Sequence, residues 1–179
     1  NITLSLVFRQ YILASKAYFV WAGIMFVTAI IPVLASGIIV PIYYKNFFDI
    51  LGLKYEVTVL APGLIKTIFL ILVMNLIAWS ANRVYFFSVV KFQIAVMYKL
   101  RQDAYEYLIH HSYTFFTNTF SGSLVQKINR YMRAFERLTD RIFSDVLPII
   151  VKIIGVCFVL WNVERQFVWI ISVWVLFYF

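Results

Sequence analysis

One lysine, Lys152, stands in an otherwise apolar run that extends from about Asp145 to Trp161. It lies about ten residues from the outer end of that run, roughly 15 Å deep at 1.5 Å per helical residue. A cation at such a depth is costly, and it normally faces a bundle interior or a wet cavity. The chemistry Lys152 offers there is attraction of an anionic or polar group, which makes it the cavity candidate of this chain. The plainer alternatives are an ion pair with Asp145 or snorkelling of the ammonium toward the interface. Asp145 is two helical turns away, too far for a simple pair.

Other reactive residue types do not assemble into a centre. His110 and His111 are adjacent, so on a helix they point to different faces, and Cys157 is the single cysteine. A metal site needs more ligands than these supply. At the end of a helix, either imidazole would instead suit the negative end of the helix dipole. None of the six glycines opens a Gly-x4-Gly-Lys-Ser/Thr loop, so the chain has no such phosphate cradle. No carboxylate pair, Ser/His/Asp set or Cys/His pair stands at useful spacing. The chain alone is expected to have no catalytic residue, no metal and no cofactor.

The second candidate is the segment Phe115-Phe116-Thr117-Asn118-Thr119-Phe120-Ser121-Gly122. Three phenylalanines in a short turn far from lipid are a large apolar area looking for something to cover it. A protein partner would do so; alternatively the rings staple the turn to its own flanks. Gly122 permits a tight exit from the turn.

The flanking sequence must place this turn. Before it, Phe92, Val96, Leu100 and Ala104 recur every four residues, followed by Leu108, while Lys91, Lys99, Arg101, Asp103 and Glu106 occupy other faces. After it, Val125, Ile128, Met132, Phe135, Leu138 and Ile142 form an apolar stripe. Lys127, Arg130, Arg133, Arg137 and Arg141 form a basic stripe on nearly the opposite face, suited to water, to acidic headgroups or to a cytoplasmic entrance. These patterns predict a helical hairpin.

Both arms of the hairpin continue into apolar spans. The chain is 63% hydrophobic and only 13% charged, and its apolar residues fall in long blocks, which places it in the all-α polytopic membrane class. Residues 3–16 are expected to form a short amphipathic elbow helix or the frayed start of the first span. The first span is expected over 17–45, locally kinked or ended by Pro32 and Pro41. An outer loop is expected from Asn46 to Leu60, and a second helix over 62–111, opening near Pro62. That helix would be about 75 Å long against about 40–45 Å of bilayer with headgroups, so some 30 Å would project into water. A third helix is expected over 123–162 and the start of a fourth over 167–179. Asn1 in place of Met, and the apolar run still open at Phe179, lead to the expectation of a longer parent chain.

The net charge of +8 would fit nucleic acid, but the basic residues cluster beside apolar spans. Eight Lys or Arg lie between Lys91 and Arg141, so the positive-inside rule puts hairpin 91–141 in the cytoplasm and makes a nucleic-acid partner unnecessary. Trp21, Tyr43, Tyr44, Trp161 and Trp169 suit interface anchoring.

The residues around the turn carry a family resemblance. Leu100-Arg101, Tyr105, Leu108, Ser112, Phe115-Phe116, Gly122 and Leu124 stand at the spacings found where the second transmembrane helix of type I ATP-binding cassette (ABC) exporters enters the cytoplasm. Thr117 stands where that family often has Asp, and Asn129-Arg130-Tyr131 where it often has Asn-Asp. In hydropathy the resemblance covers essentially the whole chain; at residue level it is confined to about Leu100–Phe135.

The resemblance implies that this chain is the N-terminal part of an exporter transmembrane domain. A coupling helix would lie over 115–122, with Phe115, Phe116, Thr117, Asn118, Phe120 and Gly122 docking a nucleotide-binding domain of the same or a partner chain. A second transmembrane half would complete a homodimer or heterodimer in the cell (inner) membrane. ATP and Mg would bind only in the nucleotide-binding domain, which lies outside this chain, and the parent would be an ATP-hydrolysing translocase. Two other classes of function compete. A membrane anchor docking a cytosolic partner would have no polar group facing a cavity, against which Lys152 weighs. A carrier or channel without ATP would have broken helices and acids at mid-depth.

Overall fold

In the computed structural model, the described residues are 4–52, 57–112, 115, 121–163, 166 and 169. Every element among them is helical: α1 (Leu4–Lys16), α2 (Phe19–Leu34), a π turn (Ala35–Ile39), α3 (Val40–Leu51), α4 (Val57–Ile109), α5 (Ser121–Asp140), a second π turn (Arg141–Val146) and α6 (Leu147–Val163). Three continuous helical stretches are long and apolar enough to cross a membrane: Phe19–Leu51, Val59–Ile109 and Gly122–Trp161. Their apolar windows have mean hydropathies of 2.4, 2.1 and 2.3, yet only 6% of the second window and none of the third is buried within the chain. Surface this apolar and this uncovered requires lipid or further protein around it. The chain is an all-α protein compatible with integral membrane residence.

Both π turns precede a proline by the same interval. The first ends at Ile39 and is followed by Pro41; the second ends at Val146 and is followed by Pro148. Proline has no N–H, so Pro41 leaves the Gly37 carbonyl, and Pro148 the Ser144 carbonyl, without the usual i+4 donor. A wider turn absorbs the mismatch, and the Val40 N–H reaches back to Ala35 O. Thus the prolines expected to end or kink the first span instead sit in a helix that carries on to Leu51.

That continuation shortens the expected outer loop. Phe47, Phe48, Ile50 and Leu51 are still helical, and the helix closes at Gly52, whose N–H donates to Phe48 O at 3.0 Å. Asp49, one of the charges that suggested a loop, is accommodated on this helix. Likewise α4 begins at Val57, and Pro62 lies inside it rather than at its start. At so early a position a proline removes only one intrahelical bond.

The chain divides into two units with opposite packing chemistry. The first comprises Asn1–Val27 and Val84–Asp145. Its interior is made mostly of large side chains, Tyr11, Met25, Tyr85, Phe92, Val96, Leu100, Met132 and Phe135, with Ala14 and Ser88 among them. Phe92, Val96 and Leu100 are the four-residue stripe expected on α4. On α5, Met132 and Phe135 are buried, joined by Thr139, whose hydroxyl donates to Phe135 O at 3.0 Å. Val125 and Ile142, the ends of the expected stripe, are exposed. Ile142 lies within the second π turn, which shifts the faces of the residues it carries. Polar bonds tie the arms together: Gln93 Nε2 donates to Asp140 Oδ1 at 2.7 Å, and the Tyr85 and Ser144 hydroxyls are 2.9 Å apart. Helix α1 belongs to this unit and packs its Tyr11 ring on Tyr131 and Phe135.

The second unit comprises Thr28–Arg83 and Val146–Phe179. Its buried residues are nearly all small: Thr28, Ala29, Ala35, Val40, Thr67, Ala78 and Ala81. Its large apolar residues, such as Phe69, Leu72, Leu76, Trp79, Ile154 and Phe158, are exposed. Small residues inside and large ones outside is the pattern of helices that associate in lipid, where close backbone approach replaces the hydrophobic effect. Gly155 shows how close the approach is: a Cβ there would run into the Ile38 side chain of the first π turn.

Candidate functional site

Lys152 projects from α6 in the second unit. Its side chain lines a groove of about 380 Å³ together with Pro32, Val33, Ser36, Gly37, Pro148 and Ile149. The sequence that builds this groove is the pair of π turns with their prolines. Pro32 and Ser36 face one another one turn apart, and the Ser36 hydroxyl donates to Pro32 O at 2.7 Å, leaving its lone pairs for another donor. Gly37 contributes no side chain, which keeps the groove open; its nearest neighbour in the direction of a Cβ is Val33, at 3.9 Å. The walls are therefore apolar except for one hydroxyl and one ammonium.

Asp145 is not the partner of Lys152. It pairs with Arg141, one turn away, at 2.8 Å. Among the described residues, no carboxylate lies within ion-pair distance of the Lys152 ammonium. Lys152 is exposed within this chain. In the midst of an apolar window, such a cation calls for an anion, water or a further protein group.

The turn candidate is only partly described. Phe116, Thr117, Asn118 and Phe120 lie outside the described residues, as do residues 53–56 of the outer loop and nearly all of the expected fourth helix over 167–179. Phe115 is half-buried: its N–H donates to Ser112 O at 3.0 Å, and its ring sits 4.5 Å from that of His111. His111 in turn lies edge-on to Tyr107 at 4.7 Å, so Tyr107, His111 and Phe115 form a ladder of rings at intervals of four. Phe115 is thus engaged by its own hairpin. Gly122 opens α5 at its second residue.

The two histidines finish α4. His110 Nδ1 lies 2.7 Å from Glu106 O and His111 Nδ1 2.9 Å from Tyr107 O, so each ring donates to a carbonyl of the last turn when its proton is on Nδ1. Among the described residues, no three His, Cys, Asp or Glu side chains gather as a metal set. The basic stripe is real in three dimensions: Arg130, Arg133 and Arg137 line a polar groove on α5 with Gln126 and Asn129.

Two features of the site were not anticipated from sequence. The partners of Lys152 on the first span, Ser36 and Gly37, carry no local signal beyond standing between two prolines. The amphipathic pattern of residues 3–16 does not indicate that the Tyr11 hydroxyl donates to Tyr131 O. Comparison with models of known protein families and with characterised proteins finds no match for this chain.

Proposed function

We propose that this chain is the membrane-spanning part of an ATP-driven exporter of the type I ABC kind, with hairpin 91–141 in the cytoplasm. The observation that carries this reading is the water-type core of the first unit. Helices α4 and α5 do not stop with their apolar spans; they continue and bury Phe92, Val96, Leu100, Met132 and Phe135, with Phe92 against Phe135. A pure anchor needs no such rod. A stiff two-helix arm ending in an aromatic turn is what transmits a displacement. The resemblance at Leu100-Arg101, Tyr105, Leu108, Ser112, Phe115-Phe116, Gly122 and Leu124 gives that arm a partner, a nucleotide-binding domain that seats the turn.

In this reading ATP and Mg bind the partner domain, and this chain contributes no catalytic group. ATP binding draws two such domains together, and the segment around Phe116 passes the motion to the helices. Nucleotide shifts the inward–outward equilibrium only as far as it binds the two states differently. A second transmembrane half, identical or homologous, closes the pathway and covers the exposed apolar faces that lipid does not. The test is Phe116→Asp in the complete transporter. The variant should hydrolyse ATP without transporting and lose transport-stimulated ATPase; stimulation equal to wild type would remove the coupling role.

A further inference from the structure

We infer that the groove around Lys152 binds a single-chain anionic amphiphile, its carboxylate on the Lys152 ammonium and its chain along Pro32, Val33, Pro148 and Ile149. The inference rests on the membrane placement of α6 and goes beyond the ATP-driven reading, since binding needs no nucleotide.

Three observations converge on that ligand. First, charge: Lys152 has no carboxylate partner among the described residues, and Asp145, the nearest acid in sequence on that strand of chain, is taken by Arg141. A cation within an apolar window is stabilised by a counter-anion more than by any neutral group. Second, lining: apart from Ser36 and Lys152, the groove walls are proline, valine, isoleucine and a bare glycine backbone, which favour a hydrocarbon chain over a polyhydroxylated or multiply charged solute. Third, size and depth: about 380 Å³ is at the small end of ligand pockets, room for one apolar chain. Lys152 is eleven residues short of Val163, the end of α6, about 16 Å along the axis, and seven residues, about 10 Å, from Asp145 at the other end. The charge thus stands within the apolar window, where a single chain lying along the groove can bring its carboxylate to it.

The experiment uses the full-length protein in nanodiscs of phosphatidylcholine, titrated with a dansyl-tagged undecanoic acid and with its methyl ester. Wild type should bind the acid more tightly than the ester by roughly ten- to a hundredfold, the yield of one charge-assisted hydrogen bond. Lys152→Met should erase that preference, and Lys152→Arg should keep it. Gly37→Leu, which fills the groove without touching the charge, should weaken acid and ester alike. Helical content by circular dichroism verifies that each variant folds, and Lys152→Gln replaces Lys152→Met if the latter does not. Equal binding of acid and ester by wild type would overturn the inference, as would an undiminished preference in Lys152→Met. So would displacement of the acid by phosphatidylglycerol as readily as by oleate, because it would make the groove a headgroup site. Phe116→Asp should bind the acid as wild type does, so failure of the coupling role leaves this result untouched.

Discussion

The Tyr11 hydroxyl donates a hydrogen bond to the Tyr131 carbonyl at 2.7 Å, and the two rings stack with centroids 4.9 Å apart. One residue of the N-terminal helix is thereby fixed to the arm of the hairpin 120 positions later. Tyr11 is 6% exposed and also meets Phe135 edge-on. Residues Leu4–Lys16 form a helix of their own, α1, with a turn at 17–18 before α2.

Removing only the hydroxyl separates the hydrogen bond from the packing. Tyr11→Phe should cost about 1 kcal/mol, the net worth of one such bond together with the carbonyl it leaves unmet. Tyr11→Ala should cost about 3 kcal/mol or more, because the ring's cavity cannot close. Denaturant titration of the purified protein in detergent measures both. Equal effects of the two substitutions would mean that the ring contributes nothing and that α1 is only tethered.

The same burial sets a pH dependence. Desolvation raises the Tyr11 hydroxyl above its ordinary value of 10.0, since ionising it would place a charge in the unit's interior and break its donation to Tyr131 O. A group raised in the folded state stabilises fully below its unfolded value and loses that contribution as the pH climbs through the folded one. Wild type should therefore lose thermal stability as the pH rises above about 10 more steeply than Tyr11→Phe. Parallel profiles for the two proteins would show that Tyr11 does not titrate in the folded core.

The contact of Ile38 with Gly155 fixes the first π turn against α6. A side chain at position 155 must displace Ile38, so Gly155→Leu should destabilise by about 1–3 kcal/mol through overpacking. Ile38→Ala in the same chain should recover part of the loss, because it vacates the space the leucine needs; the shortfall from additivity is the coupling. Additive effects would mean the two positions do not meet. Melting of single and double variants decides it, and acid binding by Lys152 should fall in Gly155→Leu as the groove's wall is pushed aside.

Residue patterns foretold much of this. The four-residue repeat at Phe92, Val96 and Leu100 is the buried line of α4, because periodicity reports which face a helix turns inward. Lys152 was singled out by the cost of a charge in an apolar run, and the groove beside it follows from the same cost. Less was legible where local chemistry is ambiguous. Asp49 signals a loop only if the helix must be apolar on all sides; Phe47, Phe48, Ile50 and Leu51 keep it going to Gly52. Pro41 is expected to kink or end the first span, yet a wider turn upstream of it lets the helix pass. That Ser36 and Lys152 line one groove depends on packing between segments far apart in sequence, which no local pattern specifies.

The contrast between the two packing chemistries makes a topographic prediction. Helix α4 is 53 residues long, about 80 Å, nearly twice the bilayer with its headgroups. If Pro62 lies near one interface, Tyr105 is about 65 Å further along the helix and stands clear of the other. Tyr105 is 65% exposed and Val125 56%. With Cys157 replaced by serine, Tyr105→Cys and Val125→Cys should react quickly with a membrane-impermeant maleimide in inside-out vesicles and not in right-side-out ones. Phe69→Cys and Ile154→Cys, equally exposed in the isolated chain, should stay unreactive from both sides because lipid or a second half covers them. The discriminating outcome is Tyr105→Cys. Silence from both faces would place the large-residue core inside the membrane, remove the water that its packing implies, and take the lever of the proposed exporter with it.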